Sequence, residues 1–153
     1  MNVGDKAKDF SLMNSDGKEV TLSEQTKDGK VLLLFFPLAF SSVCTEELCN
    51  TRDNMKLYNS LSTNVIGISV DSFFTLSHFK KSNNLNFTLL SDFNKEVSGA
   101  YNSLYDEFFG MKGVSKRSAF VINKEMMIEY AEVLEDAGLQ PDFKAIRAVL
   151  RSK

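Results

Sequence analysis

The chain has 153 residues, 43% hydrophobic and 25% charged, with a net charge of −2. That length suits one domain with a substantial core and is short for two, so a single domain over residues 1–153 is expected. The near-neutral charge excludes a general attraction to nucleic acid or anionic membrane, and no apolar window approaches a membrane span.

The start, MNVGDKAKDF, lacks the apolar core of an export signal. The two cysteines, Cys44 and Cys49, are too few for a disulfide scaffold. A cytoplasmic setting follows as the expectation, and in a reducing compartment a cysteine pair points to catalysis or sensing. Residues 9–13 and 18–22 flank Asn14-Ser15-Asp16-Gly17, which reads as a β-hairpin. Lys27-Asp28-Gly29-Lys30 is a second turn, and Val31 to Phe36 is a continuous apolar run suited to a strand covered on both faces. Pro37 ends that strand. Ser41 and Ser42 suit a helix cap, and Leu48, Met55, Tyr58 and Leu61 continue with helical spacing to about residue 61. Cys44 therefore falls in the first turn of a helix at the C-terminal end of a central strand. Free amides and the helix dipole favour negative charge on a sulfur placed there.

A second apolar strand covers 64–71, with Asp71 or Ser72 available to cap a helix over 73–83. The only histidine, His78, sits in that helix without other metal-type ligands nearby and reads as an ordinary helix residue. Residues 87–90 read as a strand, 92–105 as a helix and 106–116 as a loop. In that loop Phe108, Phe109 and Met111 are expected to fold over the core, a partner surface being the alternative. Residues 118–123 and 126–134 form a closing hairpin, and Phe143, Ile146, Val149 and Leu150 give a final amphipathic helix. A hairpin, a β-α-β unit, a helix and a hairpin-plus-helix close is an α/β layout of the thioredoxin-like type, a central mixed sheet flanked by helices.

Pro37, Ser41 and Cys44 fit the pattern P-x-x-x-[T/S]-x-x-C, followed by CTEEL, and GVSKRSAFVINKE supplies Arg117 downstream. On these residues, and on KDFSLMNSDGKEVTLSE near the start, the chain resembles the peroxiredoxins of the AhpC/TSA family. Within it, the chain resembles the bacterioferritin-comigratory-protein or AhpE-like subgroups. Ser41 departs from the usual threonine, keeping the hydroxyl but losing the methyl that limits its rotamers.

The resemblance implies a thiol peroxidase. Cys44 would attack hydrogen peroxide or an organic hydroperoxide and become a sulfenic acid. Arg117 would stabilise the sulfur and the peroxide oxygens, Ser41 would offer its hydroxyl, and Pro37 would shield the sulfur from bulk water. Glu47, one turn after Cys44, would orient Arg117, with surface salt bridging as the alternative. Cys49 resembles a resolving cysteine that forms an intramolecular disulfide, recycled by thioredoxin, a similar dithiol or a small thiol; a packed helix residue is the alternative. The resemblance implies no cofactor and no metal, and leans to a homodimer. The competing readings are a thioredoxin-like thiol-disulfide oxidoreductase, which would need C-x-x-C where this chain has C-x4-C, and a non-enzymatic peroxide sensor.

Helix geometry adds one constraint. Five residues along an intact helix place two Cα atoms about 8.7 Å apart. A disulfide needs about 7 Å or less. Cys44 and Cys49 are expected to be separate thiols while the helix is whole, and to pair only after its first turns unwind.

Overall fold

The computed structural model describes residues 1–152. Its strands are β1 (Ser11–Asn14), β2 (Glu19–Thr21), β3 (Val31–Phe35), β4 (Asn64–Ser69), β5 (Thr88–Ser91), β6 (Ser118–Ile122) and β7 (Ile128–Val133). Its helices are α1 (Leu22–Gln25), α2 (Ser42–Asp53), α3 (Met55–Ser60), α4 (Phe73–Ser82), α5 (Glu96–Ala100) and α6 (Phe143–Arg151). The strands form one mixed sheet in the order β2-β1-β5-β4-β3-β6-β7. β3, β4 and β5 run parallel, β6 and β7 continue antiparallel on one side, and the β1–β2 hairpin joins antiparallel to β5 on the other.

The unbroken apolar run of β3 is explained by its central place. Leu32, Leu34 and Phe36 face a core closed by Leu48 of α2, Tyr58 of α3, Phe79 of α4 and Ile146 of α6. Val31, Leu33 and Phe35 face the opposite core with Leu22 of α1, Val97 of α5 and Ile128 of β7. Both sets are fully buried, and each such side chain contributes about 1.5–3 kcal/mol. Gly67 of β4 is a packing requirement, because a Cβ there would lie 2.8 Å from Leu89 and 3.3 Å from Phe36.

Two helices are shorter than the sequence pattern predicts. The expected helix over 42–61 breaks at Asn54 (φ −105°, ψ 8°) into α2 and α3. There the Asn54 side chain donates to the Asn50 carbonyl and competes with continuous helix. The expected helix over 92–105 is reduced to α5. The buried Asp92 carboxylate accepts from the amides of Val97 and Ser98, and Asn102 turns left-handed at φ 54°. The 106–116 loop contains a two-residue hairpin in which Phe108 and Met111 exchange both backbone bonds. Phe108 packs on Val70, Tyr105 and Val114, whereas Phe109 and Met111 stand exposed, so only the first follows the expectation of folding over the core.

Candidate active site

β3 ends beneath the loop Pro37–Ser41, and α2 begins just beyond it. Asp71, at the end of β4, holds this loop by accepting from the Ala39 amide at 2.7 Å, and is itself fixed by the Ser69 hydroxyl at 2.6 Å. Phe40 adopts φ 69°, a left-handed conformation that costs a non-glycine residue about 1–2 kcal/mol. Its ring is edge-on to Phe79 at 5.0 Å and tilted against His78 at 5.6 Å, so contacts with α4 hold the strained residue in place.

Ser41 is the N-cap of α2 by backbone conformation, but its hydroxyl donates to the Leu38 carbonyl at 2.8 Å instead of accepting from the helix. The expected side-chain cap is absent, and the hydroxyl lies at the lip of a cleft. Pro37 is buried. Cys44 has no exposed surface, and Cys49 is half-buried on the same unbroken helix; both are free thiols.

Arg117 directly precedes β6 and is 1% exposed. Each guanidinium nitrogen has its own partner. Nη2 lies 3.1 Å from Cys44 Sγ, Nη1 donates to Glu47 Oε1 at 2.6 Å, and Nε donates to the Ala137 carbonyl at 2.9 Å. The start of β6 is anchored by the Lys116 amide on the Ser103 carbonyl and by buried hydroxyl pairs, Ser98 with Ser115 and Ser118 with Ser103. The chain thus brings Cys44, Glu47 and Arg117 together across 70 residues, with Ser41 just before the helix that carries the first two. Glu47 is wholly buried, which removes the surface-salt-bridge alternative.

Electrostatics divide the two partners of Arg117. Burial pushes the Glu47 carboxyl up to about 7, and the attraction and hydrogen bond of Arg117 only partly oppose it. Its Oε2 has no hydrogen-bond partner, which disfavours the ionised form further. Burial also works against the Arg117 charge, but Cys44 and Glu47 together outweigh it and hold the guanidinium above its ordinary range.

A cleft of about 500 Å³ opens above Arg117, between Ser41, Ser42 and Val43 on one side and Tyr105, Phe108 and Ala137 on the other. With the Arg117 guanidinium below, the Ser41 hydroxyl at the lip, and walls that mix Tyr105, Phe108 and Val43 with Glu107, Glu135 and Asp136, the cleft can take a small polar head on a short apolar body. Tyr105 and Ala137 are residues that the sequence pattern does not flag. Phe108 is flagged only as an apolar loop residue and Asp71 only as a candidate helix cap; Ser72 caps α4 instead, and Asp71 holds the loop before α2. Among the described residues no group of three or more His, Cys, Asp or Glu side chains is arranged to hold a metal. No helix among them is long and apolar enough to cross a membrane.

The model of the AhpC/TSA family matches residues 3–131. The chain is 36% identical to the chloroplastic 2-cysteine peroxiredoxin of Chattonella marina var. antiqua, over 87% of this chain and 71% of that protein. It is 35% identical to peroxiredoxin Bcp of Escherichia coli strain K12, over 85% of this chain and 84% of that one. In three dimensions it is similar to peroxidoxin BcpB from Mycobacterium tuberculosis, with a TM-score of 0.87, 29% identity and coverage of 99% and 97% of the two chains. The fold is therefore the thioredoxin-like fold of the peroxiredoxins, and the chain belongs to the AhpC/TSA family of thiol-dependent peroxidases.

Proposed function

We propose that the chain works as a single peroxiredoxin domain in which Cys44 is the peroxide-reducing nucleophile and Cys49 resolves it. The observation that carries the first assignment is the 3.1 Å contact between Cys44 Sγ and a buried guanidinium that is itself held by Glu47. The Cys44 thiolate attacks the terminal oxygen of ROOH, and the O–O bond breaks. The sulfur becomes a sulfenic acid, and the departing alkoxide takes one proton from solvent and leaves as ROH, or as water from hydrogen peroxide. Arg117 spreads its donors between sulfur and peroxide in the transition state, and the Ser41 hydroxyl exchanges the Leu38 carbonyl for the peroxide. The size of the cleft, with Val43, Tyr105 and Phe108 among its lining, leaves room for organic hydroperoxides alongside hydrogen peroxide. Cys49 then forms a disulfide with Cys44, which a thioredoxin-like dithiol or a small thiol reduces. Such reductants suit a cytoplasmic setting. The exposed Phe40, Phe109 and Met111 on loops around the cleft support a homodimer that covers them.

Peroxide consumption with excess dithiol tests the division of labour. Cys44→Ser abolishes turnover and the fast loss of thiol. Cys49→Ser leaves the first oxidation nearly intact and stops disulfide formation. Equal loss of the first oxidation in both variants would refute the assignment.

A further inference from the structure

The C-terminal half of α2 is tied to the end of α4 by side-chain bonds that the first oxidation does not use. The Cys49 thiol donates to Asn83 Oδ1 at 3.7 Å. Asn83 spends its amide hydrogens on the Phe79 carbonyl at 3.1 Å, which turns its oxygen toward the sulfur. Arg52 Nη1 donates to the Asn83 backbone carbonyl at 2.6 Å, and Asn86 donates back to the Arg52 carbonyl at 3.4 Å. The Arg52 guanidinium is held above its ordinary range first by its hydrogen bond to Asp53, and also by the nearby Cys49 sulfur. Cys49 and Arg52, three residues apart on one face of α2, both engage Asn83, so a thiolate formed at Cys49 has a cation at hand.

The first turn of α2 has no such tether. Ser42 is exposed, and the Ser41 hydroxyl is turned away from the helix. The bonds made there by Thr45, from its amide and its hydroxyl to the Ser41 carbonyl, lie within the turn itself. Cys44 is held by packing in the core and by one polar contact, with Arg117, a charge-assisted bond that weakens once the sulfur becomes a neutral sulfenic acid. Oxidation thus loosens one end of the helix and leaves the other clamped.

We infer that Asn83 and Arg52 are positioning residues for the resolving step, holding Cys49 on the wound remainder of α2 so that the unwound Cys44 is delivered to a fixed sulfur. The inference rests on the reading of Cys49 as the resolving thiol. In the step itself Cys49 gives up its proton and its sulfur attacks Cys44. The S–S bond forms, the S–O bond breaks, and hydroxide leaves and takes up a proton as water. With one of two reacting atoms held in place, less orientational freedom is lost on approach.

Rapid quench with alkylation, followed by mass spectrometry of the intact chain, separates the steps. Asn83→Ala and Arg52→Met are each expected to leave the loss of the Cys44 thiol at the wild-type rate. Both slow the disulfide by about tenfold and raise the share of Cys44 driven to sulfinic acid at high peroxide. Arg52→Lys, which keeps a donor for the Asn83 carbonyl, restores most of the rate. Disulfide formation at or above the wild-type rate in both variants overturns the clamp while the assignment of Cys49 stands. An equal slowing of the first oxidation also overturns it, because the effect is then on the whole helix. Absence of a Cys44–Cys49 disulfide in the wild type overturns the clamp and the resolving role together.

Discussion

Arg117 is 1% exposed and satisfied on all three guanidinium nitrogens, so its removal has both a structural and a chemical effect. Arg117→Met keeps most of the side-chain bulk. It leaves Glu47 without a cation, and breaking a buried pair by losing one partner costs about 3–5 kcal/mol. It also withdraws the donor aimed at the reacting sulfur, which slows the first oxidation by roughly 10²-fold or more. Stopped-flow measurement of Cys44 oxidation by peroxide should show that slowing in this variant; an unchanged rate places Arg117 outside the chemistry. Glu47 makes the second residue-scale prediction. Its carboxyl is raised from 4.5 to about 7 on folding, so the folded chain binds more protons than the unfolded chain between those values. Stability held in full below pH 4.5 is lost as pH rises through about 7, the reverse of an ordinary ion-paired carboxylate. Glu47→Gln keeps an oxygen for Nη1 and removes the ionisation, so denaturation midpoints should lose that fall between pH 4.5 and 7. An unchanged pH slope in this variant sinks the argument. The sequence carries Glu47 beside Cys44 in plain view, but nothing local joins either to Arg117, 70 residues away from Glu47. The family pattern supplied that link. Neither the pattern nor the local sequence indicated the Ala137 carbonyl, which fixes the guanidinium from a loop without periodicity.

Among the elements, α2 is the one whose state should change during turnover. It is unbroken from Ser42 to Asp53 and carries two free thiols, as helix geometry requires for a C-x4-C pair. Each backbone bond given up on unwinding costs about 1 kcal/mol, which a helix end tolerates. Hydrogen exchange across residues 42–52 should therefore show protection in the reduced protein and faster exchange in the disulfide form. Equal protection, with the Cys44–Cys49 bond confirmed by mass spectrometry, removes the case for unwinding. The strands and the longer helices were legible because their apolar periods were long enough to read: β3 as a doubly covered run, α6 as a one-faced helix. The errors fall where side chains compete for the backbone. Asn54 ends α2 by capturing the Asn50 carbonyl, and Asp92 gathers the amides that open α5. Asn and Asp mark turns as often as they interrupt helices, so the sequence alone did not separate these outcomes.

At the scale of the molecule, the sheet leaves two edges, and neither suits pairing with another copy. β2 is only three residues long, and β7 carries Glu129 and Glu132, charges that discourage edge-to-edge addition. The apolar groups left uncovered near the cleft sit on loops instead. Phe109 is 88% exposed and occupies, with Gly110, a tight two-residue turn in which both have positive φ. Asn-Gly is the sequence that such a turn favours, and a bulky aromatic in a left-handed position costs about 1–2 kcal/mol. A turn that served only to reverse the chain would not need that ring. Covering it in the proposed homodimer would offset the strain, since an aromatic at the centre of an interface contributes about 2 kcal/mol or more. Phe109→Ser should weaken dimerisation by roughly 30-fold, read by sedimentation across a concentration series. It should leave the circular dichroism of the fold unchanged. Phe74 and Phe93, 72% and 62% exposed, lie beside a different cleft and serve as the contrasting face. If Phe74→Ser dissociates the dimer and Phe109→Ser does not, the pairing surface lies away from the active site; a chain that stays monomeric throughout the series has no such surface.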